Sequence, residues 1–260
     1  KSLGNSPDPI KLIDKHGADG VRVGMLLCSP AGNDLPFDEG LCKQGRNFSN
    51  KIWNALRLVK SWNTTDSIQP RSSIEGVEWF ENKLNQSIND IDTSMSKYRI
   101  SEALMTIYKI IWDDFCSWYL EIIKPKYSEP IDVKTYKKTI IFFEKLLKLL
   151  HPFMPFLTEE IWHLLKKQET DITVSKWPKY NKHDVSILEK FNVTKEVVAS
   201  IRTIRKDNGL GNKDSLELFI INNENVESFN NIINKLVNIS NIKTTKEKLD
   251  NSFTFLIKSN

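Results

Sequence analysis

Cysteine is scarce in this sequence. Cys28, Cys42 and Cys116 are its three cysteines among 260 residues; they lie far apart and form no Cys-x-x-Cys pair. The pattern therefore indicates neither a disulfide framework nor a cysteine-based zinc site. Cysteines in this pattern are typical of a reducing compartment, and we expect the protein to be cytoplasmic.

Long apolar runs are also lacking. The most apolar stretch, Ile100 to Ile123, is interrupted by five charged residues, whereas a bilayer span needs ~20 predominantly apolar residues in a row. Residues 1–9 are polar and turn-rich rather than a basic stub followed by an apolar run, so they do not indicate a signal peptide. We expect no membrane partner.

The sequence has no large excess of charge of one sign and no cluster of histidines. Lysine and arginine total 37 against 33 acidic residues, and the net charge of +4 is compatible with local basic faces but does not decide the partner. The four histidines, at positions 16, 151, 163 and 183, fall in separate segments without a metal-binding spacing. The sequence therefore predicts no metal site and no self-contained catalytic site.

Helical periodicity dominates the chain to about residue 165. The first forty residues hold six of the ten glycines and predict a connector with little regular structure, in which Pro9–His16 favours a helix. Apolar residues then recur at helical spacing within residues 41–62, 74–95, 100–122 and 132–150. Asp132 suits the cap of the last of these helices, and two prolines separate it from a short helix that begins near Thr158.

The last part of the chain has a different pattern. Phe191–Lys206 is typical of a basic amphipathic helix, and Val226–Val237 of a second helix, while Leu216–Ile221 and Phe253–Ile257 are typical of strands. The sequence therefore predicts a mainly α fold. We assign a connector to residues 1–40, a helical bundle to 41–182 and a small C-terminal α+β module to 183–260.

A series of motifs, in order, resembles one family of class I aminoacyl-tRNA synthetases. The opening Lys1-Ser2-Leu3-Gly4-Asn5-Ser6 resembles the second half of the KMSKS loop, and Asp14–Arg22 resembles the segment that follows it. Phe48–Arg57 looks like the first helix of the anticodon-binding domain, and its Asn-Lys-x-Trp-Asn-Ala pattern favours the valyl-tRNA synthetase family. Three later stretches are similar to the same family: Tyr98–Leu104, Trp112–Glu121 and Leu150–Trp162.

This resemblance implies an anticodon-binding helical bundle that recognises the anticodon arm of tRNA(Val). Unpaired loop bases are read by stacking on flat or apolar groups and by hydrogen bonds from amides and basic side chains. On the polar arc of the first bundle helix, Lys51 and Arg57 would contact phosphates or base edges. Asn54 would supply an amide contact, and Leu58 an apolar platform.

Three residues outside that helix are further candidates for contact with the tRNA. Leu120 would approach the anticodon loop from the third helix, and Arg202 and Arg205 would follow the tRNA backbone. We expect tRNA(Val) as the partner, no DNA, and a monomer.

The resemblance also implies a C-terminal part of a longer enzyme, from the end of the KMSKS loop through the anticodon-binding domain. Without the catalytic and editing domains of that family, the chain alone should be inactive and bind no cofactor. The intact enzyme would charge tRNA(Val) with valine using ATP with Mg, and Lys1 and Ser2 would then belong to its ATP site. Two alternatives stay open: the same role in an isoleucyl-tRNA synthetase, and a helical protein-interaction scaffold without RNA binding.

Overall fold

The computed structural model describes residues 7–28, 37–221, 229–250 and 252–257. Lys1 and Ser2, the expected remnant of an ATP site, lie outside the described residues. Helices make up most of the described chain, so the prediction of a mainly α fold is confirmed. Within these ranges no helix is both long and apolar enough to cross a membrane.

Two helices precede the bundle and pack against its first long helix. They are α1 (Pro9–His16) and α2 (Ala18–Leu27), and the long helix is α3 (Glu39–Lys60). The prediction of little regular structure after Pro9–His16 was therefore wrong, because the glycines of α2 allow this helix to pack closely against α3. A side chain at Gly24 would lie 2.6 Å from the backbone nitrogen of Cys42 on α3.

The remaining bundle helices follow with short connections. They are α4 (Arg71–Ser96), α5 (Ile100–Lys109), a π-helical segment (Ile110–Tyr119), α6 (Leu120–Ile123), α7 (Val133–Leu150) and α8 (Pro155–Leu165). The carboxylate of Asp132 accepts a hydrogen bond from the Thr135 backbone N–H at 2.8 Å, which confirms the predicted cap of α7. Helix α8 begins at Pro155, before Thr158, because proline is favourable in a first turn, where its missing N–H would have had no helical partner.

Aromatic rings fill the centre of the bundle. The ring of Phe80 lies 4.8 Å from that of Tyr119, 5.2 Å from that of Phe142 and 5.5 Å from that of Phe115, measured between centroids. The hydroxyl of Tyr119 is 2.9 Å from that of Thr139, so the one polar group among these rings has a partner. Burial of each such ring contributes roughly 1.5–3 kcal/mol, so these rings add substantially to the stability of the bundle.

The π-helical segment changes which side chains face the core. A π-turn takes one more residue than an α-turn, so the side chains after it are rotated about the helix axis. Trp118, which a continuous α-helix would place on the buried stripe, is consequently only half-buried. Leu120 instead lies in the core with 1% of its surface exposed.

Two short strands close one end of the bundle. Strand β1 (Thr64–Thr65) lies between α3 and α4, and β2 (Ile131–Asp132) lies between α6 and α7. The strands pair in parallel, with Thr64 opposite Ile131. The C-terminal end of α3 and the segment after α6 therefore meet at the same end of the bundle.

The C-terminal part combines two helices with a second parallel pair of strands. Its elements are α9 (Val185–Asp207), β3 (Leu216–Ile221), α10 (Asn230–Val237) and β4 (Ile239–Thr245). Strand β3 confirms the prediction for Leu216–Ile221 and pairs with β4, whereas the prediction of a strand at Phe253–Ile257 was wrong. Asn238, in a left-handed conformation with φ 50°, ends α10 and turns the chain directly into β4.

Helix α9 connects this part to the bundle. Near its start, Phe191 stacks on Trp79 of α4 with ring centroids 3.8 Å apart. Further along the helix, Val198 and Ile201 pack in a separate apolar cluster with residues of β3 and α10. The first half of α9 therefore belongs to the bundle core and the second half to the smaller core.

Candidate functional site

The polar face of α3 places four predicted contact residues on one surface. Lys51, Asn54, Arg57 and Leu58 span an arc of about 120° at 100° per residue. Asn54 and Arg57 are exposed, whereas Lys51 and Leu58 are half-buried. The opposite side of the helix enters the core, so the buried stripe fixes which way this α3 face points.

Lys51 is held by aromatic rings. Its Nζ lies 5.2 Å from the centroid of the Trp112 ring, and that ring stacks on Tyr108 with centroids 5.5 Å apart and planes 10° apart. Tyr108 in turn packs on Phe48, at 4.6 Å between centroids. A cation above an aromatic face gains about 0.5–1 kcal/mol at an exposed site, so the ammonium is positioned before any ligand arrives.

The environment below Lys51 is apolar. Burial raises the pKa of the Cys116 thiol to about 12, and the charge of Lys51 opposes this shift. The thiol is therefore neutral at physiological pH and is not a candidate nucleophile. The contact of Trp112 with Lys51 was not predicted from the sequence; the spacing of four residues between Tyr108 and Trp112 on a helix was the available signal.

The polar side chains further along α3 have no competing partner. Among the described residues, the side chains of Asn54, Arg57 and Lys60 take part in no hydrogen bond or ion pair. Their donors are directed to solvent rather than neutralised by a neighbouring acid. The α3 face therefore combines one fixed cation with an amide, a guanidinium and a half-buried leucine.

Two predicted contact residues belong to the fold instead. Leu120 is 1% exposed, so its side chain does not reach the surface from which an anticodon loop would approach. Arg205 is 3% exposed, and its guanidinium donates to the carbonyl oxygens of Gly211 at 2.7 Å and of Asp214 and Val237 at 2.8 Å. These two assignments are corrected, because the Leu120 side chain fills the core and the Arg205 side chain joins α9 to the turn before β3 and to the end of α10.

Arg202 stays at the surface, on α9 rather than α3. Its guanidinium carbon lies 5.8 Å from the centroid of the Trp118 ring. Lys195 lies 5.5 Å from the same ring and forms an ion pair with Asp114 at 2.6 Å. Lys195 is therefore neutralised, whereas Arg202 keeps its charge available.

One cluster of described residues has the atoms to hold a metal ion. Glu159, His163 and Asp171 each offer one ligand atom, and these atoms lie within 4.8 Å of one another. The imidazole Nε2 of His163 is 3.1 Å from Glu159 and 3.0 Å from Asp171, and Glu159 also accepts from the Ile172 N–H at 3.0 Å. These bonds fasten the segment after α8 to that helix, which is a sufficient role for the cluster.

A buried acid joins the N-terminal helices to α8. Oδ2 of Asp19 on α2 accepts from the Leu157 N–H at 2.7 Å, in the first turn of α8. Burial raises the pKa of Asp19, and the backbone N–H groups of α8 oppose that rise. Burial also lowers the pKa of nearby His151, whose Nδ1 is 2.7 Å from the Thr158 hydroxyl.

Comparison with a family model connects the bundle to a known class of domain. The model described as the anticodon-binding domain of tRNA ligase matches residues 77–220. The match runs from α4 through β3 and so covers most of the bundle and the start of the C-terminal part.

Curated proteins with similar sequences are valine–tRNA ligases. That of Parabacteroides distasonis is 51% identical over 262 residues and that of Christiangramia forsetii 50% over 264, each alignment covering 100% of this chain. The valine–tRNA ligase of Fusobacterium nucleatum is 35% identical over 93% of the chain. The chain spans about 30% of the length of these relatives.

A solved structure has a similar fold. It is the LeuRS chain in the ternary LeuRS–tRNA–LeuAMS complex of Agrobacterium radiobacter K84 agnB2. The match covers 70% of this chain and 22% of that one, with a TM-score of 0.51 and 20% sequence identity. The helical architecture is therefore shared with a class I synthetase.

Proposed function

The chain belongs to the family of anticodon-binding domains of tRNA ligases, and on this premise we propose that it binds the anticodon arm of tRNA(Val) through the polar face of α3. The observation that carries the proposal is the set of donors on that face that have no partner among the described residues, beside a lysine held over a tryptophan ring. Unpaired loop bases are recognised by such a combination of stacking surfaces, amides and cations.

Valine specificity is supported by the curated relatives, which are valine–tRNA ligases at about half identity. Valine codons begin with G-U, so each valine anticodon ends in A-C. Asn54 would pair with a base edge through its amide, and Arg57 would contact a base edge or phosphate in two-donor geometry. Leu58 would cover the face of a neighbouring base.

The charging reaction is proposed for a longer ligase, of which this chain would form a part. In that enzyme, valine would be activated with ATP and Mg, and Lys1 and Ser2 would belong to the ATP site. The chain itself would contribute RNA binding, as a cytoplasmic monomer. Arg202, exposed on α9, would add a phosphate contact outside the loop-reading face.

A titration with two RNA hairpins tests the proposal. Fluorescence anisotropy would follow binding of a valine anticodon stem-loop and of an otherwise identical hairpin with the A-C changed, each at two salt concentrations. Tighter binding of the valine hairpin at both concentrations is expected, because base contacts do not depend on counterion release as phosphate contacts do. Equal and steeply salt-dependent binding of both hairpins would contradict base recognition, and no binding would favour a protein-interaction scaffold.

A further inference from the structure

The β1–β2 pair brings a second segment to the C-terminal end of α3. The backbone N–H of Ile131 donates to the carbonyl oxygen of Asn63 at 2.8 Å. Asn63 lies three residues after the end of α3, and Ile131 directly follows the loop of residues 124–130. This loop, here called the β2 loop, therefore lies beside the end of the α3 face.

A turn in the β2 loop exposes an aromatic ring. The N–H of Glu129 donates to the carbonyl oxygen of Lys126 at 3.0 Å, and Ser128 has a φ of 64°. A positive φ at the third residue is what a type II turn requires, and it leaves the second residue at the corner. That residue is Tyr127, whose surface is 99% exposed.

The positive charges of the β2 loop and of the end of α3 favour the binding of a polyanion. Lys126 is exposed, and among the described residues it has no acidic partner, as is also true of Arg57 and Lys60 on α3. Lys124 is different, because its Nζ pairs with Glu121 at 2.8 Å. The β2 loop, whose turn also carries the exposed Glu129, and the end of α3 together thus offer three such cations and one exposed aromatic ring, which is the combination that single-stranded nucleic acid binds by stacking and charge.

The distances along the chain allow one RNA loop to reach both elements. Tyr127 is four residues from the Ile131–Asn63 hydrogen bond, and Arg57 is six residues from Asn63. At about 3.5 Å per extended residue and 1.5 Å per helical residue, with the step across the hydrogen bond included, the two side chains are anchored within roughly 35 Å of each other. An RNA strand along α3 would therefore continue onto the β2 loop.

We propose that the β2 loop is a second RNA-binding element, in which Tyr127 stacks on an unpaired base of the anticodon loop and Lys126 binds an adjacent phosphate. This inference rests on the proposed function of the α3 face and adds a stacking residue to it. The ring of Tyr127 can stack on any base, since every base has a flat face. Tyr127 thus contributes affinity, while Asn54 and Arg57 contribute discrimination.

A matched control for Tyr127 lies at the opposite end of the bundle. Tyr98 is 83% exposed and follows α4, which starts after β1 and runs 26 residues away from it. At 1.5 Å per residue, α4 places Tyr98 about 39 Å from the β1–β2 end. Tyr98→Ala therefore removes a similarly exposed aromatic ring and leaves the β2 loop unchanged.

The test is binding of a valine anticodon stem-loop by the full chain and four variants. Tyr127→Ala should weaken binding by about 5- to 140-fold, the range for loss of one base–aromatic stack. Tyr127→Phe, which keeps the ring, should bind like the unaltered chain, and so should Tyr98→Ala. Arg57→Ala should weaken binding whether or not the β2 loop takes part, and far-UV circular dichroism checks that each variant is folded.

A spectroscopic readout separates stacking from other effects. With 2-aminopurine placed in turn at each unpaired purine of the hairpin, the unaltered chain and Tyr127→Phe should change the fluorescence of one position that Tyr127→Ala leaves unchanged. Unaltered affinity and fluorescence in Tyr127→Ala, with weakened binding in Arg57→Ala, would overturn this inference alone. Absence of binding by the unaltered chain would overturn the proposed function, and this inference with it.

Discussion

Replacing Arg205 with alanine should destabilise the C-terminal part rather than weaken a phosphate contact. The guanidinium donates to three carbonyl oxygens at 2.7–2.8 Å, of which that of Val237 is buried and those of Gly211 and Asp214 are partly buried. An unpaired buried acceptor costs about 1–3 kcal/mol, and a partly buried one nearer the low end. We therefore expect the free energy of unfolding to fall by about 2–5 kcal/mol.

Hydrogen exchange and chemical denaturation check this expectation together. In Arg205→Ala, exchange should accelerate in β3 and β4, which directly follow the segments that the arginine holds against α9, before it accelerates in the aromatic core of the bundle. Arg202→Ala is the matched control; it removes an exposed arginine that contacts one ring and should cost less than about 1 kcal/mol. Unchanged stability and exchange in Arg205→Ala, with weakened RNA binding, would refute the structural role and restore the sequence-based assignment.

Three further predictions concern the packing of Gly24, the pKa of His151 and the cation Lys51 on the α3 face. Gly24→Ala should destabilise the protein by about 1–3 kcal/mol in thermal melts, because its Cβ would meet α3 backbone atoms at 2.6–2.7 Å, whereas Gly40→Ala, at an exposed position, should change stability far less. Burial lowers the pKa of His151, so the unfolded chain binds the proton more tightly; stability should fall as the pH drops below about 6.5, and less steeply in His151→Gln. Lys51→Ala should weaken anticodon-loop binding by roughly 1–3 kcal/mol in anisotropy titrations, and Lys97→Ala, a cation lost at the opposite end of the bundle, should not.

Much of the fold follows from periodicity. The apolar stripe of α3 predicted both its buried side and the exposed position of Asn54 and Arg57, since a continuous α-helix keeps a constant angle between residues. Leu120 was predicted to approach the anticodon loop, and its burial was missed because the sequence does not reveal that residues 110–119 form π-helical hydrogen bonds, each spanning five residues instead of four. A position just after such a segment cannot be assigned to core or surface from spacing alone.

Other differences arise from tertiary packing. The glycines of the first forty residues predicted a connector with little regular structure, but Gly24 is where two helices come too close for a side chain. Strand β4 has little apolar alternation, so its pairing with β3 depends on α10 and the left-handed turn at Asn238 rather than on its own sequence. Arg205 has the appearance of a surface cation in sequence, and its burial becomes evident only once three carbonyl groups are brought around it.

Photocrosslinking would show whether the polar face of α3 contacts the anticodon loop. A valine anticodon stem-loop carrying 4-thiouridine in its loop would be irradiated with the chain, and the attached peptides identified by mass spectrometry. We expect crosslinks within residues 51–60, joined by crosslinks in the β2 loop. Crosslinks confined to the C-terminal part or to the end of the bundle near Tyr98 would contradict this expectation.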